Sequence, residues 1–280
     1  MESIDEAQRD EIIRQIKELF DLKIRGNSPT TWEGESRKDS HEGHWLEFQF
    51  GLKPNGSNKP DFSGFEMKDD TSSKTTFGDW PADMYLFFSH KKCESNPPKA
   101  SVCRKCSDSK ISRDEFLVTF GTASARAQKN QERFSWSGKV FPKIGQTNEF
   151  GQSFRVEVDG SVNISYSYLQ DQRPDKESIV RRELQREDLV LAHWTSENLK
   201  LRLERKFNQF GWFKCVQTAG GHGPYTAIKF GGPITFKSWI EQVNIGTVYL
   251  DSGMYLGNNR PYSNWRASNA FWDSLVEEIY

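Results

Sequence analysis

Asp61, Glu66 and Lys68 are the residues whose types and spacing could do chemistry in this chain. They stand in Pro60-Asp61, which ends a loop rich in Gly, Asn, Ser and Lys, and in Phe65-Glu66-Met67-Lys68, where apolar and charged residues alternate. A period of two predicts a half-buried strand on which Glu66 and Lys68 share one face while Phe65 and Met67 enter the core on the other. Asp61 and Glu66 are hard oxygen ligands for a divalent cation such as magnesium, with coordination positions left for water and a phosphate oxygen. Lys68 would orient that water or help to deprotonate it, and the chemistry is then metal-assisted phosphodiester hydrolysis. Glu47, in Trp45-Leu46-Glu47-Phe48-Gln49-Phe50, offers a third carboxylate from a short helix. A cation nearby would keep all three carboxylates ionised near neutral pH. Standing alone, D-x4-E-x-K is better read as the pattern of a solvated strand face, since Asp, Glu and Lys are common.

The order of elements adds to that pattern. A helix carrying Leu46-Glu47, a glycine-bearing loop, Pro60-Asp61 and a strand carrying Glu66 and Lys68 follow one another in a way that resembles the PD-(D/E)xK nucleases of the MutH-like branch. That branch includes the MvaI- and BcnI-like type II restriction endonucleases. Its G-x-x-L-E-x-x-x-G helix precedes D-x(4-6)-E-x-K, and Gly43, Leu46, Glu47, Gly51, Asp61, Glu66 and Lys68 fall into those places. The resemblance implies an α/β fold with a mixed central sheet flanked by helices. It implies Glu47, Asp61, Glu66 and Lys68 as catalytic residues, with magnesium held by Asp61 and Glu66. The activity implied is sequence-specific hydrolysis of double-stranded DNA by a monomer, with a cognate DNA methyltransferase in the same system but no direct contact with it.

A second set of ligand types lies further on. His90, Cys93, Cys103 and Cys106 form H-x2-C-x9-C-x2-C, two short knuckles with the spacing of a closed, tetrahedral, structural zinc site. Cys215 competes with His90 for the fourth position. The four cysteines also permit disulfides, against which the absence of an export signal speaks, or a redox CxxC, which lacks its usual helix-start context. Basic neighbours, Arg104 and Lys105 among them, suit a DNA-contacting projection spanning residues 89–112. No such knuckle is expected from the resemblance.

A chain of 280 residues suffices for one two-lobed domain over 1–280 with that insertion inside it. Mean hydropathy is low at -0.76, but aromatic residues make up 13%, so the core should be largely aromatic and the chain folded. No signal peptide or membrane-length apolar stretch is visible, which points to a cytoplasmic protein with no membrane partner. The formal net charge of -1 excludes bulk coating of nucleic acid. Residues 90–143 nevertheless carry 12 Lys or Arg against 5 Asp or Glu, enough for one phosphate-facing surface.

The elements that must position these groups are read from periodicity. Ser3 to Ile24 predicts an amphipathic helix with Ile12, Ile13, Ile16, Leu19, Phe20 and Ile24 inward. His41 and His44 read as loop histidines near DNA. Thr71 to Trp80 reads as a polar loop, Asp83 to Phe88 as a strand buried on both faces, and Asp114 to Thr122 as another apolar strand. Arg133 to Gly138 reads either as a DNA-contacting loop or as an aromatic corner of the core. Phe154 to Tyr168 predicts a hairpin turning at Asp159-Gly160. Lys176 to Leu189 predicts a solvated helix, and Ser196 caps another with Lys200, Arg202, Arg205 and Lys206 outward. Trp212 to Val216, Tyr225 to Phe230 and Thr247 to Leu250 predict strands. The last stretch offers Arg260, Trp265 and Arg266 for DNA contact, or else a surface loop before a helix capped near Ser268 with Phe271 and Leu275 buried.

Two rivals are consistent with these residues: a mismatch-repair nicking endonuclease activated by a partner, and a zinc-containing DNA-binding protein whose carboxylates do no chemistry. Target sequence and cut position are not legible, because base readout depends on which side chains reach which groove edge.

Overall fold

Phe65–Lys68 forms a strand, and the packing of its alternate side chains fixes the layers around the candidate chemistry. The computed structural model describes residues 5–29, 41–53, 58–71, 73–87, 111–123, 134–218, 223–258 and 260–280. In chain order the elements are α1 (Glu6–Lys23), α2 (His41–Gln49), β1 (Phe65–Lys68), β2 (Lys74–Asp79), β3 (Met84–Tyr85), α3 (Arg113–Phe120), β4 (Thr122–Ala123) and β5 (Phe134–Trp136). There follow β6 (Phe150–Val156), β7 (Val162–Asp171), α4 (Lys176–Ile179), β8 (Leu189–Trp194), α5 (Ser196–Phe207), β9 (Gly211–Gln217) and β10 (Tyr225–Gly231). The chain ends with α6 (Phe236–Asn244), β11 (Val248–Ser252), β12 (Met254–Tyr255), β13 (Ser263–Ser268), α7 (Asn269–Ser274) and β14 (Val276–Ile279). It divides into two compact units, the first made of Met1–Phe77, Lys200–Trp239 and Ala267–Tyr280, the second of Gly78–Leu199 and Ile240–Arg266.

The first unit contains a mixed sheet of order β1-β9-β10-β14, in which β1 runs parallel to β9 while β9, β10 and β14 alternate in direction. On one face, Phe65, Met67, Phe213, Cys215, Ile228 and Phe230 meet Ile12, Ile13, Ile16 and Phe20 of α1 and Leu46 of α2 in one apolar cluster. α1 lies where helical periodicity places it, and Asp5 caps it by accepting a hydrogen bond from the Gln8 amide at 3.1 Å. The opposite face is also covered. There the Phe77 and Trp272 rings lie 4.6 Å apart, Trp212 and Trp272 5.0 Å apart, and Phe207 packs on Phe77 at 5.6 Å. β1 is therefore buried on both faces, with Glu66 only 2% and Lys68 6% exposed, where alternation predicts a half-solvated strand. The alternation reports a charged face and an apolar face, and the charged one lies under the end of α5.

The second unit contains an antiparallel sheet of order β3-β8-β7-β6 and a small antiparallel sheet of order β12-β5-β4. A third sheet has the order β11-β13-β2. The expected hairpin is β6-β7, with Val156 opposite Val162 across the Asp159-Gly160 turn. Trp136 is buried, and its indole donates to Gln152 Oε1 at 2.7 Å while Gln152 Nε2 donates to the Phe120 carbonyl at 2.7 Å. Of the two readings of the Arg133 to Gly138 stretch, β5 is thus the aromatic corner of the core, and Arg133 itself lies outside the described residues.

Several elements differ from their sequence reading. Lys74–Asp79 is a strand within the supposed polar loop, its Thr75 and Phe77 buried. Asp114 to Thr122 is mainly the helix α3, capped by Ser112, whose hydroxyl accepts from the Glu115 amide at 3.1 Å. Its apolar run serves a helix face as readily as a strand. The strand expected over Asp83 to Phe88 is only Met84–Tyr85, with Met84 exposed. Lys176 to Leu189 is a one-turn helix and a 3-10 turn, and β8 begins at Leu189. α5 is capped by the Thr195 hydroxyl, which accepts from Asn198 N at 3.3 Å. α6 was not anticipated. In α7 the buried residue is Trp272, with Phe271 and Leu275 partly exposed. Among the described residues no helix is long and apolar enough to cross a membrane.

Candidate active site

The position of Asp61 follows from a tight turn. Phe62 and Phe65 exchange both backbone hydrogen bonds, at 2.9 and 2.8 Å, and the turn between them needs Ser63 at φ 44° and Gly64 at φ 98°. A Cβ on Gly64 would lie 2.5 Å from the Phe210 ring, so glycine is required for space as well as for backbone conformation. The turn folds Asp61 back along β1, which is the edge strand of its sheet. There Asp61 Oδ2 accepts the Met67 amide at 3.1 Å, satisfying a donor that no neighbouring strand takes up.

Glu66 and Lys68 then rise from β1 towards α5. Lys68 Nζ donates to Glu66 Oε1 at 2.7 Å and sits over the Phe207 ring at 5.1 Å. Lys206, from the last turn of α5, reaches the same oxygen at 3.0 Å. Its expected outward orientation is thus corrected: its side chain is only 16% exposed, because it stands one residue before Phe207, which packs over β1. Glu66 Oε2 is buried and has no hydrogen-bond partner among the described residues, and the same holds for Glu47 Oε2. Glu47 lies on α2 as expected, and His44 is on that helix too rather than in a loop.

The four expected residues share one electrostatic neighbourhood. Burial, and then the charge of Glu66, pushes the Asp61 carboxyl up to about 7, against the pull of Lys68 and Lys206. Burial also raises Glu47, opposed by His44 and Lys206 and reinforced by Glu66. Burial lowers the Lys68 ammonium, and Glu66 opposes that shift. These are the marks of carboxylates and an ammonium group withdrawn from water together, with their mutual charges acting second. Among the described residues, no three His, Cys, Asp or Glu side chains close into a finished metal cage. The donor set nevertheless fits a hard divalent cation: all oxygen, largely buried, with two carboxylate oxygens unpartnered.

The strand partner β9 extends this polar strip. Lys214 stands opposite Lys68, is buried, and pairs with Asp70 at 3.0 Å, while Tyr225 donates its hydroxyl to Asp69 at 3.0 Å. Cys215 points to the opposite, apolar face. Burial, followed by the charge of Asp69, pushes its thiol well up, so it stands as a neutral residue of the core.

The remaining expected residues lie elsewhere. Trp265 was expected to contact DNA but has no exposed surface, its ring 5.8 Å from that of Trp194 in the core of the second unit. The aromatic run that suggested stacking on bases is packing. Arg260 pairs with Asp79 at 2.5 Å and lies over the Tyr262 ring, and Arg266 pairs with Asp251 at 3.2 Å. Both arginines are partly exposed. His90, Cys93, Cys103, Cys106, Arg104, Lys105 and Arg133 lie outside the described residues, and with them the expected zinc insertion at 89–112.

The structure is similar to that of the restriction endonuclease MvaI in complex with its cognate DNA substrate, with a TM-score of 0.56 over 96% of this chain and 98% of that one. Identity there is 11%, so the likeness is one of fold. Residues 24–280 match the family model of the LlaMI restriction endonuclease, and the chain belongs to that family. It is 40% identical over 277 residues to the type II restriction enzyme ScrFI of Lactococcus lactis subsp. cremoris, covering 95% of this chain and 97% of the relative. The protein is a type II restriction endonuclease.

Proposed function

We propose that the chain cuts double-stranded DNA at a specific sequence, using Glu47, Asp61, Glu66 and Lys68 with magnesium. One observation carries the assignment: Lys68 is held on one oxygen of the buried Glu66 carboxylate while the other oxygen has no partner among the described residues, and Asp61 lies near enough to feel the charges of both. Asp61 and Glu66 would hold the ion, and Glu47 would complete the acidic side from α2. A bound magnesium supplies charge for the phosphate oxygens and a water of lowered pKa. Lys68, fixed by Glu66 and by the Phe207 ring, orients the attacking water. Asp61 cannot swing away without abandoning the Met67 amide, so its carboxylate is held beside β1.

Further parts of the reading rest on sequence. The ordered G-x-x-L-E-x-x-x-G and D-x4-E-x-K segments support a place in the MutH-like branch. The H-x2-C-x9-C-x2-C spacing supports a structural zinc on His90, Cys93, Cys103 and Cys106, with Cys215 set aside as a core thiol. Arg104, Lys105 and Arg133 lie in the basic stretch, and Arg260 and Arg266 are partly exposed, so all five suit DNA contact. Action as a monomer in the cytoplasm, alongside a cognate methyltransferase, completes the reading.

The test is incubation with a plasmid of known sequence and magnesium, followed by mapping of the cut ends. Discrete fragments with one common terminal sequence are expected, and none in EDTA. Random degradation, or equal cutting in EDTA, overturns the proposal.

A further inference from the structure

The geometry points to Lys206 as a resident counter-cation of the catalytic centre: its ammonium occupies Glu66 until a divalent ion arrives, and then transfers to the scissile phosphate. This rests on the magnesium-dependent reading given above.

Three observations on the first unit lead there. Glu66 Oε1 accepts two ammonium groups, Lys68 at 2.7 Å and Lys206 at 3.0 Å, while Oε2 of the same carboxylate accepts none among the described residues. Two cations crowd one oxygen beside an empty one, an arrangement that gives up a hydrogen bond and brings like charges together. The crowding is explained if the site is built for positive charge and Lys206 supplies it provisionally. Lys206 also influences every other member of the cluster, acting on Asp61, Glu47 and Lys68 alike.

The charge balance gives the second step. With all groups ionised, three carboxylates and Lys68 carry a formal -2, which Lys206 reduces to -1. When a divalent ion takes Glu66, the cluster becomes positive, and an ammonium 3.0 Å from the ligating oxygen is repelled. Lys68 is anchored on a strand and buried, whereas Lys206 stands on a helix with a flexible stem and partial exposure. Lys206 is therefore the group that moves, and a phosphate brought to the ion is the anion it meets. Lys200 and Arg205 of the same helix are exposed to solvent instead.

The test uses the full-length protein and its Lys206→Met and Lys206→Arg variants. Manganese is titrated in the absence of DNA, with the free ion read by electron paramagnetic resonance. Single-turnover cleavage is then measured at saturating magnesium. Lys206→Met should bind manganese about tenfold more tightly, since a competitor has gone, and cut about a hundredfold more slowly, since a phosphate contact has gone. Lys206→Arg, which keeps the charge, should bind manganese like the wild type; should Lys206→Met fail to fold, Lys206→Gln takes its place. Tighter binding without loss of rate, or loss of rate without tighter binding, overturns the inference. So does Lys206→Arg binding manganese as tightly as Lys206→Met. If Lys206→Met behaves as the wild type while Asp61→Ala is inactive, this inference alone fails. If Asp61→Ala cuts normally, the catalytic assignment beneath it fails.

Discussion

Asp61 is the side chain on which the competing forces are most evenly matched. Burial and Glu66 favour its neutral form, while Lys68, Lys206 and the Met67 amide favour the carboxylate, and the outcome is a pKa of about 7 against 3.8 for an ordinary aspartate. Because the folded state holds this proton more tightly than the unfolded one, its contribution to stability is complete below about pH 3.8 and is lost as pH rises through about 7. In EDTA, the thermal stability of Asp61→Asn relative to wild type should therefore climb between about pH 4 and 7 and level off above. A difference that does not vary with pH would contradict this account of the burial. The motif of Asp61, Glu66 and Lys68 was legible because all three sit within one turn and one strand, where spacing alone determines which face each takes. Lys206 was not legible. In Lys200, Arg202, Arg205 and Lys206 the sequence offers four similar cations, and only the packing of Phe207 over β1 singles one out.

At the level of elements, β1 and β9 form the frame that sets the distance from Glu66 to Lys68. β9 starts at Gly211, with φ 104°, and a Cβ there would lie 2.2 Å from the Gly231 carbonyl oxygen of β10. Gly211→Ala should cost roughly 2–4 kcal/mol, combining backbone strain with a steric clash, and should lower the urea midpoint substantially. An unchanged midpoint would show that the strand start tolerates a side chain. Local periodicity identified α1, α2, β1, the β6-β7 hairpin, α5, β9 and β10. It failed for α3, where DEFLVTFGT carries an apolar run too short to distinguish helix from strand. The usable signal there was Ser112 followed by Asp114 and Glu115, a cap with acidic residues in the first turn. β2 was missed because its Thr-rich start reads as polar, although β-branched residues favour strands.

For the whole molecule, the unit bearing the proposed catalytic residues is assembled from three separated stretches of chain, interrupted by Gly78–Leu199 and Ile240–Arg266. No local pattern reports such a division, because it is set by which strands pair across long sequence separations. The interrupting stretch contains the H-x2-C-x9-C-x2-C sequence and the basic run of residues 90–143. The purified protein should contain about one zinc per chain by elemental analysis, and Cys103→Ser should lose it. A zinc-free wild type that cuts normally would remove the knuckle from the account. The central claim is that Asp61 and Lys68 act in the cutting step itself. Its most direct test is single-turnover cleavage of a duplex at saturating magnesium by Asp61→Ala and Lys68→Ala, with duplex binding measured in parallel in calcium. Rates lower by about a thousandfold or more with binding retained are predicted; either variant cutting at the wild-type rate would contradict it.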